Sequence, residues 1–197
     1  GLKFDPRVAN AARIWPHLYH TAGFFAALLR KVGEIPADPS PPPFRPLEKA
    51  GFFPLDRRDL QTLAAEMMQD YELDLPALLD QHKLALYRRN RLLFAFPGLF
   101  LERFSDFPVQ AAGLLFAEDT PEGALPAAEF VNRFWYEFKA GRFILPPALL
   151  PAWQQGEDVE MESGQVSGKM VVVLDESGHL LGRGQAMPHR IKKLGVR

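Results

Sequence analysis

The sequence predicts an α+β chain built in pieces: a short closing strand segment, a small α/β region and a small mixed β-barrel, not a doubly wound parallel sheet. Three observations carry this. A proline-dense break, "PADPSPPPFRP", occupies residues 36–46. Residues 56–97 hold a strongly patterned helix followed by a hairpin signature. Residues 109–197 alternate short strand-like runs with one or two helical ones and end on a second hairpin.

Composition narrows the chemistry. With 197 residues, 47% of them apolar and sixteen Phe, the chain has volume for real cores. A net charge of -1 sets up no global field toward nucleic acid or anionic membrane, so any such surface must come from local clustering. The absence of cysteine excludes disulfides, thiolate metal sites and cysteine nucleophiles, and fits a cytoplasmic location. No apolar run reaches membrane length and the first ten residues carry no signal pattern, so no membrane partner is expected.

The elements follow in order. In "RIWPHLYHTAGFFAALLRK" (13–31), Pro16 favours extended geometry at Trp15, and the apolar run around Gly23, Phe24 and Phe25 reads as a buried strand, with a short helix as the rival. The prolines of 36–46 fix φ and remove N–H donors, making a semi-rigid linker. "DRRDLQTLAAEMMQDY" (56–71) is the best helix: Asp56 caps it, Asp59 suits the first turn, and Leu60, Leu63, Ala64, Met67 and Tyr71 share a face. "DLPALLDQH" is a second, short helix. "LALYRRNRLLFAFP" places two apolar arms around "RRNR", a hairpin with a solvated basic tip. "AAGLLFAED" (111–119) is another strand. "LPAAEFVNRFWYEFKAG" (125–141) reads as one helix, with Pro126 in its first turn and Gly141 just past its end. Phe130, Phe134 and Phe138 form its core stripe, widened by Val131 and Trp135. A proline-started helical turn follows at "PPALLPAWQQG". "GKMVVVL" and "HLLGRGQAM" then flank "DESG" as a hairpin.

Most chemical constellations have a plainer reading. His17 and His20 sit three apart, but Pro16 opposes a helix there and no third ligand is near, so no metal site is expected. His82, His179 and His189 are scattered, no nucleophile elbow accompanies the serines, and the acids at 157–162 fit one face of an exposed strand. "GRG" at 182–184 lacks the spacing of a phosphate loop and suits a bend or bulge in a barrel strand. Arg183, held between two glycines, nevertheless sits on backbone that a phosphate can approach closely. The ending "HRIKKLGVR" adds Arg190, Lys192 and Lys193, with no acid between them.

The N-terminal motif carries a resemblance. Arg13, Pro16, His17, Gly23, Phe24, Phe25 and Lys31 occupy the places of the Arg-x-x-Pro-His turn, Gly-Phe-Phe strand and basic pair that close the catalytic domain in the Nol/Nop/Sun family of RNA cytosine-C5 methyltransferases. "AAGLLFAED", "LLPAWQQGE" and "HLLGRGQAMPHRIKKL" resemble, in order, C-terminal motifs of the RsmF-like branch of that family. Two positions depart from the pattern: Lys192-Lys193 replaces a frequent Lys-Asn, and Ala22 stands where an acid is usual.

The resemblance implies the terminal strand segment of a Rossmann-like methyltransferase domain (1–35), the linker (36–46), an intermediate domain (47–108) and a PUA-like RNA-binding domain (109–197). It also implies what this chain lacks. In the family, a cysteine thiolate adds to C6 of cytosine so that C5 can attack the methyl of S-adenosylmethionine, and a base then removes the C5 proton. This chain has neither the cysteine nor the glycine-rich cofactor loop. The expectation is therefore a non-catalytic module that binds no cofactor itself. Its parent uses S-adenosylmethionine, and its partners are structured, ribosomal RNA and an upstream catalytic domain. Arg183, Arg190, Lys192 and Lys193 are the candidate RNA contacts. Arg13 and His17 join them, facing RNA or the active site, or simply holding the turn. The rival readings are a protein-docking module without RNA contact and an independent enzyme of another class.

Overall fold

The computed structural model describes residues 6, 11–14, 24–27, 30, 33, 46–105, 112–162, 166 and 169–195. The chain divides into two compact units, Gly1–Pro41 and Pro42–Arg197, a division that falls within the proline-dense stretch. In the first unit, β1 (Ala12–Ile14) pairs antiparallel with β2 (Phe24–Ala26). Phe24 and Phe25 are thus in a strand, and the helical alternative fails there. His17, His20 and most of the linker lie outside the described residues.

The second unit is α+β, with two five-stranded sheets, and one of the unit's sheets curls into a half-barrel. The first sheet is an antiparallel meander: β3 (Phe53–Pro54), β4 (Leu84–Arg89), β5 (Leu92–Pro97), β6 (Leu114–Thr120) and β7 (Gly123–Pro126). The expected boundary at 108/109 thus falls between β5 and β6, which pair through Leu93↔Ala117 and Phe94↔Leu115. Between β3 and β4 run α1 (Arg57–Tyr71) and α2 (Leu75–Gln81). The Asp56 carboxylate accepts the Asp59 N–H at 2.8 Å and Asp74 accepts that of Ala77 at 3.0 Å, so each helix starts on a side-chain cap. Leu63, Met67 and Tyr71 are buried along one face of α1, with Leu60 and Ala64 packed beside them, as the spacing predicts. A short helix, α3 (Gly98–Phe104), follows β5.

The segment after β6 departs from expectation. Residues 123–126 alternate in burial and pair with β6, so Pro126 ends strand β7 and does not start a helix. The helix is shorter than read: α4 covers Ala128–Phe134, then tightens into a 3₁₀ turn at Trp135–Glu137. Gly141, at φ 64°, therefore belongs to the approach to the next strand and not to a helix end. Phe130, Phe134 and Phe138 are all buried, so the stripe survives the change of geometry.

The second large sheet has the order β8–β10–β11–β12–β9. Here β8 is Arg142–Ile144, β9 Val159–Glu160, β10 Met170–Leu174, β11 Leu180–Met187 and β12 Arg190–Lys193. Among the described residues only the β8–β10 pair is parallel. A helical turn, α5 (Leu150–Gln155), precedes β9. Every residue of β10 is buried because the strand separates two cores. Met170, Val172 and Leu174 face the core shared with α1, α4 and β4–β7, while Val171 and Val173 face Trp153, Val159 and Ile191.

Candidate nucleic-acid interface

The face each basic residue occupies follows from strand register. Residues directly opposite in an antiparallel pair share a face, and i and i+2 share one along a strand. Arg183 lies opposite Val172; Gln185 lies opposite Lys192 and Met187 opposite Arg190. Arg183, Arg190 and Lys192 therefore share one face of the sheet. Lys193, opposite Gly184, shares the other face with Ile191.

Glycine sets this geometry. The β10–β11 register shifts at Val173/Leu174 beside Gly182, whose φ of 139° suits glycine, so the bulge read from "GRG" is present. A Cβ on Gly184 would overlap Ile191 Cγ2 and press the Lys192 carbonyl. Only glycine lets β12 and its lysines lie this close to β11.

The four cations differ in what holds them. Half-buried Arg183 reaches back to donate from Nη1 to the Pro126 carbonyl at 2.7 Å, clamping β11 to β7. Exposed Arg190 lies 3.6 Å from Asp158 Oδ2, and Glu160 stands directly across from it on β9. The Lys193 ammonium donates to the Trp153 carbonyl and lies 5.1 Å from the centre of that indole. Lys192 is exposed and makes no ion pair or side-chain hydrogen bond among the described residues. Of the four, its charge is the one left for a ligand without rearrangement. Beside Arg183 and Lys193 a cleft of about 680 Å³ opens against Leu92, Leu115 and Leu125, with Glu118 and Glu129 in its wall. Those acids disfavour phosphate inside the cleft itself.

The two N-terminal candidates are less placed. Arg13 lies in β1 opposite Phe25, and His17 is outside the described residues.

The "RRNR" stretch is not a solvated tip. Only Asn90, at φ 55°, and Arg91 form the turn. Arg88, within β4, bridges Asp119 at 2.5 Å and Asp59 at 3.1 Å, and Arg89 lies over the Phe52 ring at 5.1 Å. Among the described residues no three His, Asp or Glu side chains come together in a metal-binding arrangement, and no helix is long and apolar enough to cross a membrane. Sequence reading missed a surface around Trp135, Tyr136 and Arg142, because it counted Trp135 into the core stripe. The adjoining Trp-Tyr pair flanked by Arg and Lys was the available signal.

No family model matches the chain. Curated relatives do. The chain is 26% identical over 181 residues to ribosomal RNA small subunit methyltransferase F of Aeromonas salmonicida, covering 91% of this chain and 35% of that protein. The protein of the same name from Psychromonas ingrahamii is 26% identical over 184 residues, covering 91% and 36%. That of Erwinia tasmaniensis is 30% identical over 163 residues, covering 71% and 30%. The chain spans about a third of the length of these relatives, consistent with a C-terminal piece. Over nine-tenths of its own length, then, this chain is homologous to the ribosomal RNA small subunit methyltransferase F proteins, the RsmF-like branch that its motifs resemble.

Proposed function

We propose that this chain is the RNA-holding C-terminal module of an S-adenosylmethionine-dependent, cytoplasmic rRNA (cytosine-C5) methyltransferase. In this reading residues 109–197 form a PUA-like unit, residues 47–108 position it against the catalytic domain, and residues 1–35 are the edge of that domain. The observation that carries the reading is the relationship to rRNA methyltransferases over a third of their length, in a chain without the cysteine that their family chemistry needs. Transfer of the methyl group then falls to the remainder of the parent protein, and this module supplies affinity and orientation.

The physical task is to grip a folded RNA by backbone and shape, since the deep groove of an A-form helix is closed to side chains. Lys192 supplies the uncompensated charge on β12. Arg190 joins it by exchanging Asp158 for phosphate, and Arg183 and Lys193 fix the strands that present them. Each phosphate neutralised releases counterions, so binding weakens steeply with salt.

The test is titration of an RNA hairpin with the chain and with the double variant Arg190→Ala/Lys192→Ala at two salt concentrations. The expected result is weaker binding on every hairpin sequence and a salt slope reduced by about 1 for each phosphate no longer neutralised. Unchanged affinity and slope remove the β12 face from the interface. A second reading, docking onto protein without RNA contact, draws on the exposed apolar side chains Phe53, Leu99 and Phe104. It requires that the unmodified chain show no salt-sensitive RNA binding.

A further inference from the structure

The stretch Arg133–Arg142 reads "RFWYEFKAGR". Its α-helix stops at Phe134, whose φ of −128° and ψ of 20° leave the helical region, and the next three residues form a 3₁₀ turn. A 3₁₀ turn advances 120° per residue where an α-helix advances 100°. Past this break Phe138 stays buried in the core, while Trp135 is partly buried and Tyr136 exposed. Trp135 keeps one side against the core, and Tyr136 is 44% exposed. The two rings meet edge to face, 6.1 Å apart at 81°.

Cations surround the rings without carboxylate partners among the described residues. The Arg142 guanidinium, from β8, lies 5.9 Å from the centre of the Trp135 ring and makes no ion pair there. The Lys139 ammonium donates to the Tyr136 carbonyl at 3.1 Å. Arg133 is exposed, and Glu137 is the single acid of the stretch. Arg142 pairs in register with Val172, which places it on the same face of the sheet as Lys192, three strand spacings away, or ~14 Å.

An exposed tyrosine ring and a partly buried tryptophan beside uncompensated cations meet the requirements of an unpaired nucleotide: a π-surface for the base and positive charge for its phosphate. A duplex cannot use this surface, because its base faces are already stacked. An acidic peptide would satisfy the cations and leave the rings idle. We infer that Trp135, Tyr136, Lys139 and Arg142 form a second RNA contact, which stacks an unpaired base of a single-stranded segment. This contact is separate from the β12 face and differs from it in the form of RNA it takes.

The test titrates a labelled ten-nucleotide unstructured RNA and a blunt hairpin against the full chain and its variants. Tyr136 is exposed, so Tyr136→Ala should keep the thermal midpoint. It should weaken single-strand binding about tenfold and leave the hairpin unaffected. Tyr136→Phe should restore single-strand affinity, because the ring is what stacks. Arg142→Gln should flatten the single-strand salt slope by about 0.7. The inference is overturned if Tyr136→Ala binds the decanucleotide as tightly as the parent does, if Tyr136→Phe falls as far as alanine, or if the parent binds no single strand. Loss of hairpin binding in Arg190→Ala/Lys192→Ala, with Tyr136→Ala silent, would overturn this contact and leave the β12 face standing. Binding of the decanucleotide sensitive to Tyr136, with the β12 double variant silent on the hairpin, would do the reverse.

Discussion

Two hairpins of this protein carry basic runs of similar appearance, and the fold uses them differently. In β4–β5, Arg88 is bridged to Asp59 and Asp119, Arg89 covers Phe52, and Arg91 bonds the Asp119 carbonyl. In β11–β12, Lys193 is turned onto Trp153, Arg190 is paired loosely at 3.6 Å, and Lys192 faces solvent. The sequence offers three closely spaced basic residues in each case. What separates them is the register, which sets Asp59 of α1 and Asp119 of β6 against Arg88 in the first hairpin, while in the second, among the described residues, Asp158 and Glu160 stand against Arg190 and no carboxylate pairs with Lys192. A charge run keeps charge available to solvent where the surrounding strands fail to neutralise it.

Substitutions can break this contrast at successive depths. The largest effect is expected beneath the second hairpin. Trp153 is buried, donates from its indole to the Leu181 carbonyl and accepts from Lys193. Trp153→Ala should cost about 3–5 kcal/mol in chemical denaturation and abolish hairpin binding with it. A smaller loss would mean that β11–β12 is supported elsewhere.

The next effect concerns the link between the two sheets. The Tyr71 hydroxyl, at the end of α1, accepts the Met170 N–H at 3.3 Å. Tyr71→Phe removes that acceptor and should cost about 1–3 kcal/mol. Burial drives the Tyr71 phenol well above the usual tyrosine range; the Met170 hydrogen bond opposes this, and the Asp70 and Glu66 charges add to it. The unfolded chain therefore loses its proton first, near pH ~10. This contribution is whole below that pH and declines as pH rises above it. Denaturant midpoints measured from pH 8 upward should fall less steeply in Tyr71→Phe than in the parent.

Third in size, Arg88→Ala should destabilise by about 1 kcal/mol, because the bridged groups are more than a third exposed and water screens them. It should leave the salt slope of RNA binding untouched. A change in that slope would erase the contrast between the hairpins. The smallest stability change is expected for Lys192→Ala, within about 0.5 kcal/mol of the parent, with the RNA salt slope lowered by about 1.

Local signals made much of this fold legible. Asp56 and the 3-4 spacing of Leu60, Leu63, Ala64, Met67 and Tyr71 placed α1 closely. "DESG" between apolar arms placed the β10–β11 hairpin, and the glycines of "GRG" placed its bulge. Long-range pairing was the part that could not be read. Residues 123–126 became strand because β6 was there to receive them, overriding the helical preference of Pro126 at a first turn. The i, i+4, i+8 spacing of Phe130, Phe134 and Phe138 reads as one α-helix, so it hid the break at Phe134 and the exposure of Tyr136 beside Trp135. For the candidate interface, the sequence supplied the residue types. The separation of Lys192 from Lys193 onto opposite faces needed the register, and the neutralising acids came from β9 and the loop before it, about thirty residues away in the chain.

The β5–β6 pairing has a practical consequence for dissection. A gene fragment stopping at Ser105, or starting at Ala112, would tear the meander between adjacent strands and bare an unsatisfied row of amides on β5 or β6. It would also part Phe116 and Phe130 from the leucines of α1 and α2 that complete their burial. Neither piece would behave as an independent building block. Mixed as separately purified polypeptides, they should either clump or snap back together by strand complementation.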